Sequence, residues 1–308
     1  MIAVLHSHTH LGAGDEGIMV GLLHEVLLDG IIDTLKIFPF LFLTYLLMEF
    51  IEHRASDSSM ALLKKSGSLG PAIGGIFGVL PQCAFSAVAA NLYTGRVITL
   101  GTLIAVFLST SDEMLPMMLS ESISPSVIFP LLGYKLFVAV LVGFLIDLVC
   151  KLTKRNKEDI NIDEICENDN CHCERGIFYS AIHHTLTISA FVFLTTLVIN
   201  SLVFFIGTEA LGSALSTFPV LSHLIAAIIG LIPGCATSVA LTSLGLHGII
   251  STGVMLSGLF SGAGVGILIL TRLNKHPKEN AVIILLLVMS GFIFGMIADL
   301  IGFSVLAV

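Results

Sequence analysis

Cys83 and Cys235 are the residues of this chain best suited to chemistry, because each lies in a short interruption of apolar sequence and the two interruptions match. The first reads Gly78-Val79-Leu80-Pro81-Gln82-Cys83-Ala84-Phe85-Ser86, the second Gly230-Leu231-Ile232-Pro233-Gly234-Cys235-Ala236-Thr237-Ser238. Each proline suits the first turn of a helix and pushes the residue before it toward extended backbone. Each cysteine then belongs to the first turn of a half-helix, where the positive dipole end favours thiolate. Two thiolates related by a pseudo-twofold axis can bind a soft cation or a trivalent metalloid. The alternative is that cysteine serves here as a small residue that packs well between helices. Gln82, Ser86, Thr237 and Ser238 add oxygen donors beside the thiols, although hydroxyls also tie helices together.

A second constellation is Leu108-Ser109-Thr110-Ser111-Asp112-Glu113, in the middle of an apolar stretch. Adjacent carboxylates at membrane depth are costly and by default mark an ion pathway. Alternatively Thr110 caps a second half-helix and Glu113 reaches back to it, which leaves Asp112 in need of a partner. Both readings require a break in the helix, and the matching Ser261-Gly262-Ala263-Gly264 also reads as a break. That copy has no carboxylate, so a site built here is asymmetric. Lys135 and Lys36 are the two basic residues inside apolar spans. Lys135 is a charge partner for Asp112 or Glu113, or else snorkels to an interface. Asp147 and Asp299 read as interfacial. His183 and His184 open a span and are either ligands or interfacial residues. Two polar segments, His6-Ser7-His8-Thr9-His10 and the loop with Cys166 and Cys171-His172-Cys173, are rich in transition-metal ligands but lack the spacing of a structural zinc module.

The elements that position these residues follow from composition. The chain is 55% hydrophobic and 12% charged, with a mean hydropathy of +0.99, against about 25% charged for a soluble domain. Apolar stretches of about 20 residues recur, long enough for a bilayer core of about 30 Å. No basic stripe points to nucleic acid, and no removable signal peptide is expected. The six cysteines do not form a secreted disulfide framework.

The duplication extends past the cysteines at an offset of 151 or 152 residues. Asp33–Ile37 aligns with His184–Ile188, Gly101 with Gly253, Ser109 with Ser261, and Gly143–Leu148 with Gly295–Leu300. Each half holds a long span (29–51 and 180–206), an interrupted segment (69–92 and 219–245), a third segment (97–119 and 249–271) and a last span (126–150 and 281–304). Of the 14 lysines and arginines, those outside Lys36 and Lys135 decide the topology. If all four segments cross, these basic residues divide evenly between the two sides. If each interrupted segment is a re-entrant hairpin, they all fall on one side and loops 120–125 and 207–218 carry none, as the positive-inside rule prefers. Leu69 to Leu80 is about 18 Å as a helix, too short to cross.

The expected fold is therefore an all-α integral membrane protein of two inverted-topology repeats. Each repeat has three spanning helices and one re-entrant broken hairpin, about ten helical segments in total. The divisions are a His-rich tail (1–20), the first repeat (21–150), a Cys/His-containing cytoplasmic loop (151–176) and the second repeat (177–308). Loops 51–68, 151–176 and 272–280 are cytoplasmic; 120–125 and 207–218 are outside. Duplicated broken helices are the usual pointer to a transporter's midplane site.

The matched stretches Pro81–Ser86, Ser109–Glu113 and Pro233–Ser238 resemble those of the bacterial and archaeal ten-helix heavy-metal exporters, variously described as arsenic efflux proteins or manganese transporters. The resemblance runs from about residue 20 to the end and implies export across the cell membrane of a transition metal or metalloid. No cofactor beyond the transported ion is expected, and membrane lipid is the expected partner. Cys83 and Cys235 suit arsenite, zinc or cadmium. Asp112, Glu113, Ser109, Ser111 and the Gln82 amide oxygen supply the hard ligands that manganese prefers. A dication repays the desolvation of two carboxylates and a neutral metalloid does not, which favours a divalent metal, with arsenite the alternative. His184, Cys171, His172 and Cys173 are candidate accessory ligands. An intramembrane enzyme fits poorly: His24-Glu25 begins a zinc-protease pattern, but Leu28 stands where the second histidine belongs. A channel built on the same hairpins is the closer rival. With no nucleotide-binding loop, transport by this chain alone is secondary.

Overall fold

The structure, a computed structural model, describes residues 69–79, 84–111, 114–153, 177–206, 219–233 and 235–302, together with part of 31–46. The regular structure among these residues is helical. The first half contributes α1 (Gly70–Gly78), α2 (Ala84–Thr94), α3 (Leu100–Ser109), α4 (Met114–Ser120) and α5 (Pro125–Leu152). After α6 (Ile177–Ile206), the second half contributes α7 (Pro219–Gly230), α8 (Cys235–Leu246), α9 (Thr252–Ser261), α10 (Gly266–Leu273) and α11 (Pro277–Ile301). The same five helices thus recur in the same order, and the third segment of each half is broken where the sequence suggested.

Among the described residues, four stretches are long and apolar enough to cross a membrane: Leu100–Leu119, Pro125–Leu152, Thr252–Leu273 and Pro277–Ile301. The two broken ones are central, with 75% and 83% of their apolar windows buried, against 39% for each of α5 and α11. The outer faces of α5 and α11 expose Phe129, Phe137, Leu145, Leu285, Met289 and Ile293. Large apolar side chains exposed along both helices suit lipid contact.

Local chemistry sets the helix ends. Thr99 caps α3 by accepting from the Thr102 amide, and Ser251 caps α9 by accepting from Val254. Proline opens α1, α5 and α11, where its missing N–H costs no hydrogen bond. Gly302 ends α11 with φ 78°, a left-handed conformation that glycine adopts without strain.

Asp147 and Asp299, expected at an interface, tie helices together in matching ways. Asp147 is buried and accepts from the Thr99 hydroxyl (2.7 Å) and the Gly101 amide (2.9 Å). Asp299 accepts from the Ser251 hydroxyl and the Gly253 amide (2.7 Å). Each carboxylate thus satisfies an orphan N–H and faces the positive end of α3 or α9. Small residues allow the approach: a Cβ on Gly101 would collide with the Gly143 carbonyl, and one on Gly253 with the Gly295 carbonyl.

Helix directions follow from the close contacts. Gly70, Gly74 and Gly78 face Thr102, Val106 and Ser109 in turn, so α1 runs beside α3 in the same direction. Ala226 faces Gly258 and Gly230 faces Ser261, so α7 runs beside α9 likewise. Because α3 starts level with the start of α1, α2 must lead back to that end. Arg96, just after α2, pairs with Glu279 at the start of α11 (2.8 Å), while Asp299 near the other end of α11 bonds the start of α9. The starts of α3 and α9 therefore lie toward opposite ends of a helix about 38 Å long. Between the halves, α2 packs on α10 and α8 on α4.

Candidate functional site

The turn between α7 and α8 meets both helix breaks, and the start of α2 lies beside the second. At the second tip, α7 ends on Gly230, where any side chain would strike the Gly258 carbonyl. Cys235 is the first residue of α8, so this cysteine does open a half-helix. The Thr237 hydroxyl donates back to the Ile232 carbonyl (3.0 Å) and closes the turn between the two. Ser238 lies one helical turn beyond Cys235. At the first tip, α2 begins at Ala84, directly after Cys83. Ser86 is buried, and its carbonyl is so near Gly266 that a Cβ there would stand 2.6 Å away. The start of α2 thus abuts the start of α10, just past the second break.

The first break is a run of buried hydroxyls. Ser109 and Thr110 both donate to the Val106 carbonyl (3.0 and 2.7 Å), and Ser111 donates to the Ser109 carbonyl (3.1 Å). These protons are used locally, which leaves hydroxyl oxygen lone pairs able to face a cation. The Thr110 hydroxyl points back into α3, and α4 begins at Met114. Thr110 is therefore the C-terminal cap of α3, and the alternative in which it opens the following helix does not hold. In the second break, Ser261 donates to Ser257 and Gly258 carbonyls (both 3.1 Å).

A small cavity of about 20 Å³ lies where these parts converge, enough for roughly one water-sized species. It is lined by Gly230, Ile232, Thr237 and Ser238 of the second tip, by Gly258, Leu259, Gly262 and Gly264 at the second break, and by Thr110 of the first. Two elements that the sequence ties only by resemblance, the hairpin tip of one half and the break of the other, thus share one wall.

Lys135 does not snorkel. Its side chain is 0% exposed, and its ammonium donates to the carbonyls of Thr110 and Leu259 (3.2 Å for the latter). The Phe260 ring lies beneath it, 5.9 Å from the nitrogen to the centroid, at the outer limit for a cation–π contact. Among the described residues no three His, Cys, Asp or Glu side chains converge as a metal site. Gln82, Cys83, Asp112, Glu113, Cys171, His172 and Cys173 lie outside the described residues, as do the side chains of Cys235 and His184.

Sequence reasoning missed three features. One is the duplicated aspartate tie, which could have been found from the matched Thr99/Ser251, Gly101/Gly253 and Asp147/Asp299. The second is buried His223, whose Nε2 lies 3.2 Å from Asp299; Pro71 occupies its matched position. The third is a polar cluster at the start of α11, where Glu279 accepts from Arg96 (2.8 and 3.1 Å), Tyr93 and Asn274.

These features define a multi-pass helical membrane protein whose two central helices are broken, the breaks lying beside the turn between α7 and α8 and beside the start of α2. The chain belongs to the family described as "Putative, 10TM heavy-metal exporter", whose model matches residues 23–186, just over half its length. No curated protein and no solved structure matches it.

Proposed function

We propose that this protein is a secondary permease, not an enzyme, that exports a divalent transition metal, manganese first, from the cytoplasm across the cell membrane. The observation that carries the reading is the convergence of a hairpin tip with both helix breaks on one small cavity. Half-helix ends and unwound backbone at the midplane are how secondary transporters hold an ion. In this reading Cys83 and Cys235 line the two tips, Asp112 and Glu113 supply charge, and Gln82, Ser86, Ser109, Ser111 and Ser238 supply oxygen. The opposed starts of α3 and α9, and the parallel course of α1 with α3, support two inverted repeats with re-entrant hairpins. The Arg96–Glu279 pair supports the same arrangement, because a fully crossing α1–α2 segment would leave those residues on opposite sides. Export, rather than uptake, rests on the family.

Arsenite is the competing cargo, favoured by a cysteine at the start of α8. Asp112→Asn and Glu113→Gln separate the two in cells challenged with manganese or with arsenite. Loss of manganese tolerance with both variants is the expected result. Loss of arsenite tolerance while manganese tolerance survives would reverse the assignment.

A further inference from the structure

Lys135 sits at a point where a coupling ion would be expected. The last carbonyls of a helix have no partner within the helix and carry the negative end of its dipole. Here two such ends, that of α3 at Thr110 and that of α9 near Leu259, approach closely enough for one ammonium to bond both. The same two residues line the central cavity. Paired half-helix C-termini and unwound carbonyls are the groups that hold sodium or protons in secondary transporters. In this chain the position is filled by a side chain, fully buried and backed by the Phe260 ring.

The arrangement is also one-sided. By the duplication, Lys135 on α5 matches Leu287 on α11, a buried apolar residue. A lysine needed only to stabilise helix ends would have use in both halves, whereas a single monovalent charge between two facing carbonyl ends satisfies both at once. Asp112 and Glu113 follow α3 in sequence, and α11, which bears Lys278, Glu279 and Asp299, meets α5 where the Tyr134 hydroxyl donates to the Phe294 carbonyl (2.6 Å), whereas α1, α3 and α9 contain no Asp, Glu, Lys, Arg or His.

We propose that the Lys135 ammonium is a tethered replacement for a monovalent coupling cation, so that this exporter works without sodium or potassium. The inference rests on the reading of the protein as a secondary permease, but its first test needs no transported metal. In detergent, replacing choline by sodium or potassium leaves the Tm of the wild type unchanged. Lys135→Gln removes the charge and keeps much of the stem, opening the carbonyl pair to an inorganic ion. Sodium or potassium, compared with choline, should raise the Tm of this variant by about 2–4 °C, the shift that a weakly held ligand gives a chain of this size. A folded variant indifferent to all three cations overturns the proposal.

The second measurement covers a variant that does not fold. Wild-type protein in liposomes should move manganese at the same rate in sodium, potassium or choline. A several-fold dependence on sodium or potassium would show that the ion site lies elsewhere and overturn the proposal. Absence of manganese flux in all three buffers would instead count against the cargo assignment, and the Tm comparison of Lys135→Arg, expected to stay indifferent to sodium and potassium, then decides the role of the charge. Sodium- or potassium-dependent stabilisation of that variant would refute it.

Discussion

A thiol at a helix start inside a membrane serves chemistry through its ionised form and serves packing merely as a small side chain. Cys235 opens α8, and Cys83 directly precedes α2. Replacing either by serine preserves volume and hydrogen bonding but removes a soft, readily ionised ligand. Cys83→Ser and Cys235→Ser should each lower the metal-transport rate roughly 10–100-fold, the range found when even an outer partner of a metal ligand is removed. Abundance in the membrane, followed by immunoblot, should stay near wild type. Wild-type metal tolerance in the double variant would return both cysteines to a packing role.

At the scale of elements, the close crossings of α3 with α5 and of α9 with α11 are held by glycine pairs and sealed by an aspartate. The crossing leaves no room for a methyl group at Gly253, where both the Gly295 carbonyl and the Asp299 carboxylate stand in the way. These are backbone and a hydrogen-bonded carboxylate, so neither can rotate aside. Gly253→Ala should destabilise the protein by about 1–3 kcal/mol, the usual cost of overpacking, read as a lower Tm in detergent and lower abundance. Gly133→Ala is the control: a Cβ at that position meets nothing within 4 Å, and the more helix-favouring residue should leave the Tm level or slightly raised. Equal loss in both variants would mean that glycine flexibility, not close approach, is what α5 and α9 require.

For the whole molecule, the two halves are joined by crossed contacts, α2 on α10 and α8 on α4. Neither half alone can complete the cavity, since Thr110 comes from one and Ser238 from the other. The proposed inverted arrangement makes a direct prediction. In a background without native cysteines, single cysteines at Ser59 and Ser213 should be modified by an impermeant maleimide from opposite faces of the membrane, Ser213 from outside. Labelling of both from one face would refute the inversion and, with it, the two-sided access that alternation at the cavity requires.

Whatever depends on neighbours in the chain could be read without a structure. Runs of apolar residues near bilayer length, Pro81 and Pro233 at matched interruptions, and the break after Ser109 were all legible, because hydropathy and proline act locally. The duplication was legible because it is a pattern of types at one spacing. What the tertiary structure alone decided involves groups that meet only after packing. A lysine in an apolar helix looks the same whether it snorkels or is buried, and only the approach of two carbonyl ends, one from each half, selects burial for Lys135. Asp147 and Asp299 near helix ends likewise show no partner until Gly101 and Gly253 bring an unpaired N–H within reach. Unsatisfied backbone at helix ends and breaks, invisible in a list of side chains, is what these charged residues answer to.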